Sequence, residues 1–104
     1  MKIKPVVSRE LANQDIDQAL EYYLTVDAKQ AASNFVYALE QAYAYLAHHP
    51  AIGSPRYAHE LSLTGLRAWP LKKFPYLIFY VEHDDYIDVW RILHSHRDIP
   101  EWLI

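Results

Sequence analysis

Hydrophobic positions recur along this chain with two different periods, and the change from one to the other falls near its middle. At the amino end, Ile3, Pro5 and Val7 alternate with Lys2 and Lys4, which predicts a short strand over residues 1–7. Pro5 has no N–H for a ladder, so this strand is expected at a sheet edge or bent there. Ser8 offers a side-chain oxygen as an N-cap, and Glu10 places a negative charge where the helix dipole favours it. From there Ala12, Ile16, Ala19, Leu20, Tyr23 and Leu24 recur at helical spacing to about Thr25. Asp27 and Gln30 have the spacing of a capping box. Ala32, Phe35, Val36, Leu39, Ala42, Tyr43 and Leu46 then form the stripe of a second helix of about six turns, which Pro50 ends. Two helices joined by so short a turn are expected as an antiparallel αα-hairpin.

Both glycines, Gly53 and Gly65, fall between the halves, where residues 51–64 read as a loop. Beyond them the period becomes two. Residues 66–74 read as a strand interrupted by Pro70, and the nearly continuous apolar run 76–81 reads as a strand covered on both faces. His83-Asp84-Asp85 is a polar turn, and residues 86–93 form the next strand. Short turns make these strands an antiparallel meander, and the tail 94–104 is expected to dock its apolar residues. The predicted order is β-α-α-β-β-β, an α+β fold with a helical hairpin packed on a small antiparallel sheet. With 104 residues, the chain is expected to form one domain spanning 1–104.

Composition narrows the function classes. There is no cysteine, so neither disulfides nor cysteine-ligated zinc hold the fold. No apolar run approaches the roughly 20 residues a bilayer span requires. The polar segment Met1–Pro5 does not resemble a signal peptide, and a cytoplasmic protein is expected. Ten basic residues face 13 acidic ones, for a net charge of −3. Proteins that grip nucleic acid through phosphates carry a basic excess, so direct nucleic-acid binding by the chain alone is not expected. A local basic patch is confined to Arg67, Lys72 and Lys73. No glycine-rich phosphate loop is present, and no cofactor is expected. His94 and His96 share one side of an extended segment near Asp98, but this ligand set is too thin for a metal site.

Two blocks carry a resemblance. The stretch Gly65-Leu66-Arg67-Ala68-Trp69-Pro70-Leu71-Lys72-Lys73-Phe74-Pro75-Tyr76-Leu77-Ile78-Phe79-Tyr80 resembles the pattern of ParE-like toxins. So does Val89-Trp90-Arg91-Ile92-Leu93-His94-Ser95-His96-Arg97-Asp98-Ile99-Pro100. The hairpin ending Leu46-x-x-x-Pro50-x-x-Gly53 agrees with them, and together they cover nearly the whole chain. The chain is thus identified as similar to the RelE/ParE toxin superfamily. The resemblance implies a type II toxin inhibiting growth, with roles in plasmid stabilisation, neutralised by a ParD-like antitoxin that folds around it. Nine tyrosines and three tryptophans, more than a core of this size hides, suit such an interface.

The superfamily divides in mechanism. RelE-type members cut messenger RNA on the ribosome, and their third strand commonly begins Tyr-Arg-Leu-Val-Tyr, its arginine facing the scissile phosphate. Here the run is Tyr76-Leu77-Ile78-Phe79-Tyr80, and a leucine cannot neutralise a phosphate. The resemblance therefore implies the ParE branch, whose target is DNA gyrase, with no catalytic residues. The alternatives are a RelE-type endonuclease, for which Arg67, Arg91, His94, His96 and Arg97 would rebuild a cationic pocket, and a non-toxic relic that only binds the antitoxin. Candidates for contact with the target are Arg67, Trp69, Lys72, Lys73 and Trp102. Plainer roles also follow from position. Arg67 and Arg91 pair with Asp88, Glu82 or Asp98. His48 and His49 close a helix, His59 lies in a loop and His83 in a turn. Trp69 and Trp90 pack on the sheet, Trp102 anchors the tail, and Glu10, Asp15, Asp17 and Glu21 form a solvated face.

Overall fold

A computed structural model describes residues 3–26, 29–97 and 99–103. The elements run β1 (Val6–Ser8), α1 (Glu10–Thr25), α2 (Lys29–His48), α3 (Arg56–Leu61), β2 (Leu66–Pro70), β3 (Tyr76–Glu82), β4 (Ile87–His94) and α4 (Ile99–Leu103). The sheet order is β1-β4-β3-β2. β2, β3 and β4 form the expected antiparallel meander, whereas β1 lies parallel to β4, so the sheet is mixed rather than wholly antiparallel. The intervening α1–α2 hairpin carries the chain away from β1, and the last strand, not the second, returns beside it. Pro5 precedes the edge strand, as its missing N–H requires, and its carbonyl accepts from the Ile87 N–H at 2.9 Å.

Strand β3 is buried on both faces, each by a different layer. Toward the hairpin, Ile78 and Tyr80 join Phe35, Leu39, Leu46, Ala12 and Ala19 in the larger core. Toward the other side, Leu77 and Phe79 meet Leu66, Leu93 and Ile99 beneath α3 and α4. The tail thus docks its apolar residues as expected, in helical form. Residues 56–61, read as loop, form α3, with His59 in its last turn. Leu24 and Val36, assigned to inward stripes, are solvent-exposed. Ser8 caps nothing. The N-cap position of α1 is Arg9, without a side-chain cap bond. The Ser8 hydroxyl instead meets Tyr43 Oη at 2.7 Å, tying β1 to α2. The capping box at Asp27 lies outside the described residues.

The connection after α2 is pinned to the sheet. The Tyr80 hydroxyl donates to the Pro50 carbonyl (2.8 Å) and accepts from the Gly53 N–H (2.9 Å), and Arg67 Nη1 donates to the Gly53 carbonyl (2.8 Å). A Cβ on Gly53 would stand 2.5 Å from Tyr80 Oη. That approach, rather than an unusual φ, requires glycine.

A second polar arrangement closes the sheet edge. β1 is three residues long and its pairing stops at Ser8↔Val89, which leaves the rest of β4 without a strand on the edge away from β3. Asp15 of α1 takes over. Its Oδ2 accepts from the Ile92 N–H (3.0 Å) and from Arg91 Nε (2.8 Å), while Oδ1 accepts from Arg91 Nη2 (2.8 Å). Asp15 is only 7% exposed. It is therefore no part of a solvated face, and it, not Asp88 or Glu82, is the carboxylate that Arg91 meets among the described residues; Asp98 lies outside them. Arg91 also donates to the Trp102 carbonyl at 3.1 Å, so one guanidinium holds α1 and α4 to β4.

Removing one partner of a buried, hydrogen-bonded pair strands the other charge. Asp15→Ala is expected to lower unfolding free energy by about 3–5 kcal/mol in urea titration. Asp17→Asn, on the exposed face, should stay within about 0.5 kcal/mol of the parent. Gly53→Ala should cost about 1–3 kcal/mol in the same assay, because the new methyl must displace the Tyr80 hydroxyl.

Candidate functional site

The exposed aromatic and basic side chains gather most clearly where α2 faces the connection from β2 to β3. Helical spacing places Asn34, Tyr37, Ala38, Gln41 and Tyr45 along one wall of a groove of about 970 Å³, and Trp69 to Phe74 form the other. The Trp69 ring stacks on Tyr45 with centroids 5.4 Å apart and planes at 21°. Phe74 fixes the connection from below, edge-on to Tyr23 (5.3 Å) and Phe35 (5.4 Å). Lys72 and Lys73 stand exposed on the rim, and Lys73 has a φ of 69°, a left-handed conformation that a β-carbon disfavours. Tyr37 is 65% exposed at the open side. Such a surface, flat aromatic area flanked by cations, is suited to holding a macromolecular partner.

The five candidates for target contact divide accordingly. Trp69, Lys72 and Lys73 share the groove. Arg67 lies two residues before Trp69 on β2 but is held by the Gly53 carbonyl. Trp102 belongs to α4, on the opposite face of the sheet, where it is 43% exposed with Arg97 over its ring at 4.3 Å and Arg91 at 5.7 Å. Trp90 packs on the second core, as a sheet-packing residue should, and carries the Arg9 guanidinium 4.7 Å above its ring.

Of the residues a nuclease would need, Arg91, His94, His96 and Arg97 gather about the end of β4 and Trp102, and Arg67 stands apart on β2. Leu77 pairs with Leu93 across β4 and Pro70 across β2, and it faces the second core. The place where the cutting branch presents a guanidinium is therefore apolar and roofed by α3 and α4. Arg91 is spent on Asp15, and Arg67 lies across β3 from it. His94, His96 and Arg97 do assemble, at the end of β4: the two imidazole centroids are 5.2 Å apart, and Tyr76 is edge-on to His94 at 5.3 Å. Burial first, then the neighbouring positive charge of His96 and Arg97, pushes the His94 imidazole below its ordinary value. His48 ends α2, and its Nδ1 lies 2.9 Å from the Ala44 carbonyl. Among the described residues, no group of three or more His, Cys, Asp or Glu side chains gathers where a metal ion would be held. None of the described helices is long and apolar enough to cross a membrane.

Sequence reasoning missed one further cluster. Asp88, 5% exposed, accepts a bidentate pair from Arg9 (2.9 and 2.8 Å), lies 3.2 Å from His83 Nε2 and accepts from Trp90 Nε1 at 3.2 Å. Nearby, Lys4 Nζ reaches Glu82 (2.7 Å) and the His83 carbonyl (2.8 Å). No local signal reveals Arg9 as the partner of Asp88, because 79 residues separate them. The cluster joins the parallel strands β1 and β4, and its role is structural.

A helical hairpin on one face of a four-stranded mixed sheet, with the chain's carboxyl end folded over the other face, defines the class. Residues 6–99 match the family model described as ParE toxin of type II toxin-antitoxin system, parDE, and the chain belongs to that family. The fold is also similar to a solved chain of the chromosomal ParDE TA system from P. aeruginosa. That likeness has a TM-score of 0.74 at 17% identity and covers 90% of this chain and 98% of that one. The comparison with curated proteins gives no match.

The Asp88 cluster carries a pH signature. Burial raises the carboxyl, but the Arg9 guanidinium, His83 and Trp90 together outweigh it, so the net displacement is below the ordinary 3.8. A depressed carboxylate contributes stability that is present above its unfolded value and lost as pH falls through the folded one. Arg9→Gln should accordingly destabilise the protein at neutral pH, and the gap to the parent should close as pH falls below the ordinary carboxylate value of 3.8, in acid titrations followed by circular dichroism.

Proposed function

We propose that this chain is a toxin that acts by binding rather than by breaking bonds, with DNA gyrase as its target and a ParD-like antitoxin as its neutralising partner. The observation that carries this reading is Leu77 in the second core. Phosphoryl-transfer chemistry on RNA requires cations against the phosphate and groups to move protons. At that position the protein presents leucine, a leucine partner on β4 and a helical roof. Gyrase enters through the family resemblance, and the toxin role through membership of the ParE family.

The groove beside Trp69, Lys72 and Lys73 supports the same reading from the other side. Aromatic side chains are frequent energetic anchors of interfaces, and they lie here in a concave surface with two adjacent cations. Arg67 serves by holding the loop at Gly53 in place, and Trp102 remains a contact point on the far face.

Expression of the chain without an antitoxin is expected to arrest growth, and the purified protein to leave gyrase-cleaved linear DNA from supercoiled plasmid. Trp69→Ala combined with Lys72→Glu and Lys73→Glu should raise the concentration needed for linear DNA at least tenfold, about 1.4 kcal/mol. Arg56→Gln, exposed on α3, should leave it unchanged. Cleavage of translated messages in the ribosomal A site, or unhindered growth at high expression with antitoxin binding retained, would overturn the proposal.

A further inference from the structure

We infer that the groove beside Trp69 receives an acidic amphipathic helix of about three turns from the protein part of gyrase, and not the DNA that gyrase holds. The inference rests on the reading above, in which this groove meets the target, and it names the chemistry that the groove selects.

The walls set the shape of the occupant. Asn34 to Tyr45 span about 16 Å along α2, the length of a short helix laid beside it. Ala38 and Ala42, one turn apart, keep that wall low between the larger side chains, and Leu71 and Phe74 line the groove across from them. Small side chains let a second helix approach closely. The apolar lining suits aliphatic anchors at i, i+3 or i+4, and i+7 of that helix. The facing wall is already in place. The Leu71 N–H donates to the Tyr76 carbonyl (2.9 Å), and the Tyr76 N–H donates to the Phe74 carbonyl (2.8 Å). Lys73 keeps its left-handed backbone within this tied turn. A wall ordered beforehand lowers the cost of binding.

Charge sets the sign. Among the described lining residues, Lys72 and Lys73 carry the charge, and neither forms an ion pair with a described carboxylate. Two unopposed ammonium groups at the rim of an apolar groove match carboxylates along one flank of an amphipathic helix. A nucleic-acid strand is served less well. Trp69 and Tyr45 lie nearly parallel with centroids 5.4 Å apart, so each ring spends on the other a face that a base would need. Two lysines at one rim make no cationic track along the groove, and the net charge of −3 opposes a long polyanion.

The test is fluorescence anisotropy with the full chain and three labelled probes. One is an amphipathic peptide of about 14 residues with leucines at i, i+3, i+4 and i+7 and glutamates on one flank. The second carries lysines in place of the glutamates, and the third is a single-stranded oligodeoxynucleotide. The glutamate peptide is expected to bind at least tenfold tighter than either of the others. Lys72→Glu with Lys73→Glu should reverse the order of the two peptides, a result that loss of folding does not produce. In excess, the glutamate peptide should raise the concentration of the chain needed for gyrase-cleaved linear DNA at least tenfold. Equal affinity for the two peptides, tighter binding of the oligonucleotide, or an order unchanged by the lysine reversals would overturn the inference, and gyrase would stand as the target wherever linear DNA still forms. A bound glutamate peptide that leaves linear DNA undiminished would overturn it as well. Absence of linear DNA in every condition would instead remove gyrase, and with it the source of the helix.

Discussion

A strand edge buried beneath a helix must have its N–H groups answered, and the rest of this structure depends on how that requirement is met for β4. Strand β1 covers only the first part of that edge. Beyond Val89 the protein substitutes a carboxylate for a strand: Asp15 accepts the Ile92 N–H and two guanidinium bonds from Arg91. A carboxylate in this setting needs a positive partner as well as donors, because desolvation alone would be costly. Arg91 provides both, and its remaining nitrogen reaches α4. The seat of the first helix, the closure of the sheet and the placement of the carboxyl-terminal helix are therefore set by one ion pair. Asp88 and Arg9 repeat the device further along the same strand, where β1 lies alongside.

Much of this architecture was legible in the residues. The change of hydrophobic period marked the passage from hairpin to sheet, and the apolar run 76–81 marked the strand with two covered faces. The parallel pairing of β1 was not legible, because Pro5–Val7 specify a strand without specifying which neighbour receives it. Asp15 was hidden for a related reason. On a helical wheel it lies on the side of Ala12 and Ala19, away from Glu10, Asp17 and Glu21, but the stripe alone does not name Arg91, 76 residues away, as the partner that lets a carboxylate be buried there. Short α3 escaped notice because two prolines and a glycine flank it, and six residues carry little periodicity. Of the candidate site, Trp69, Lys72 and Lys73 could be named from one contiguous stretch. Tyr37 and Tyr45, which complete the groove, belong to a helix whose outward positions resemble any solvated surface.

The outer face of the sheet illustrates how one position can decide between two uses of a fold. A sheet face left open can carry cations for chemistry on a phosphate. The same face closed by α3 and α4 becomes a second small core. Leu77 belongs to the closed form: it shares its row with Leu93 and Pro70 and packs, partly buried, against the second core. A guanidinium in that row would need a partner the surroundings do not offer, so the apolar roof and the leucine require each other.

The triple engagement of Arg91 joins α4 to α1 through a single side chain on the strand between them. α4 is only five residues long and would be a negligible structure in isolation. Its Trp102 carbonyl shares with Asp15 the guanidinium that seats α1. A change at α4 that removed its bond would free one Arg91 nitrogen and leave both bonds to Asp15 in place.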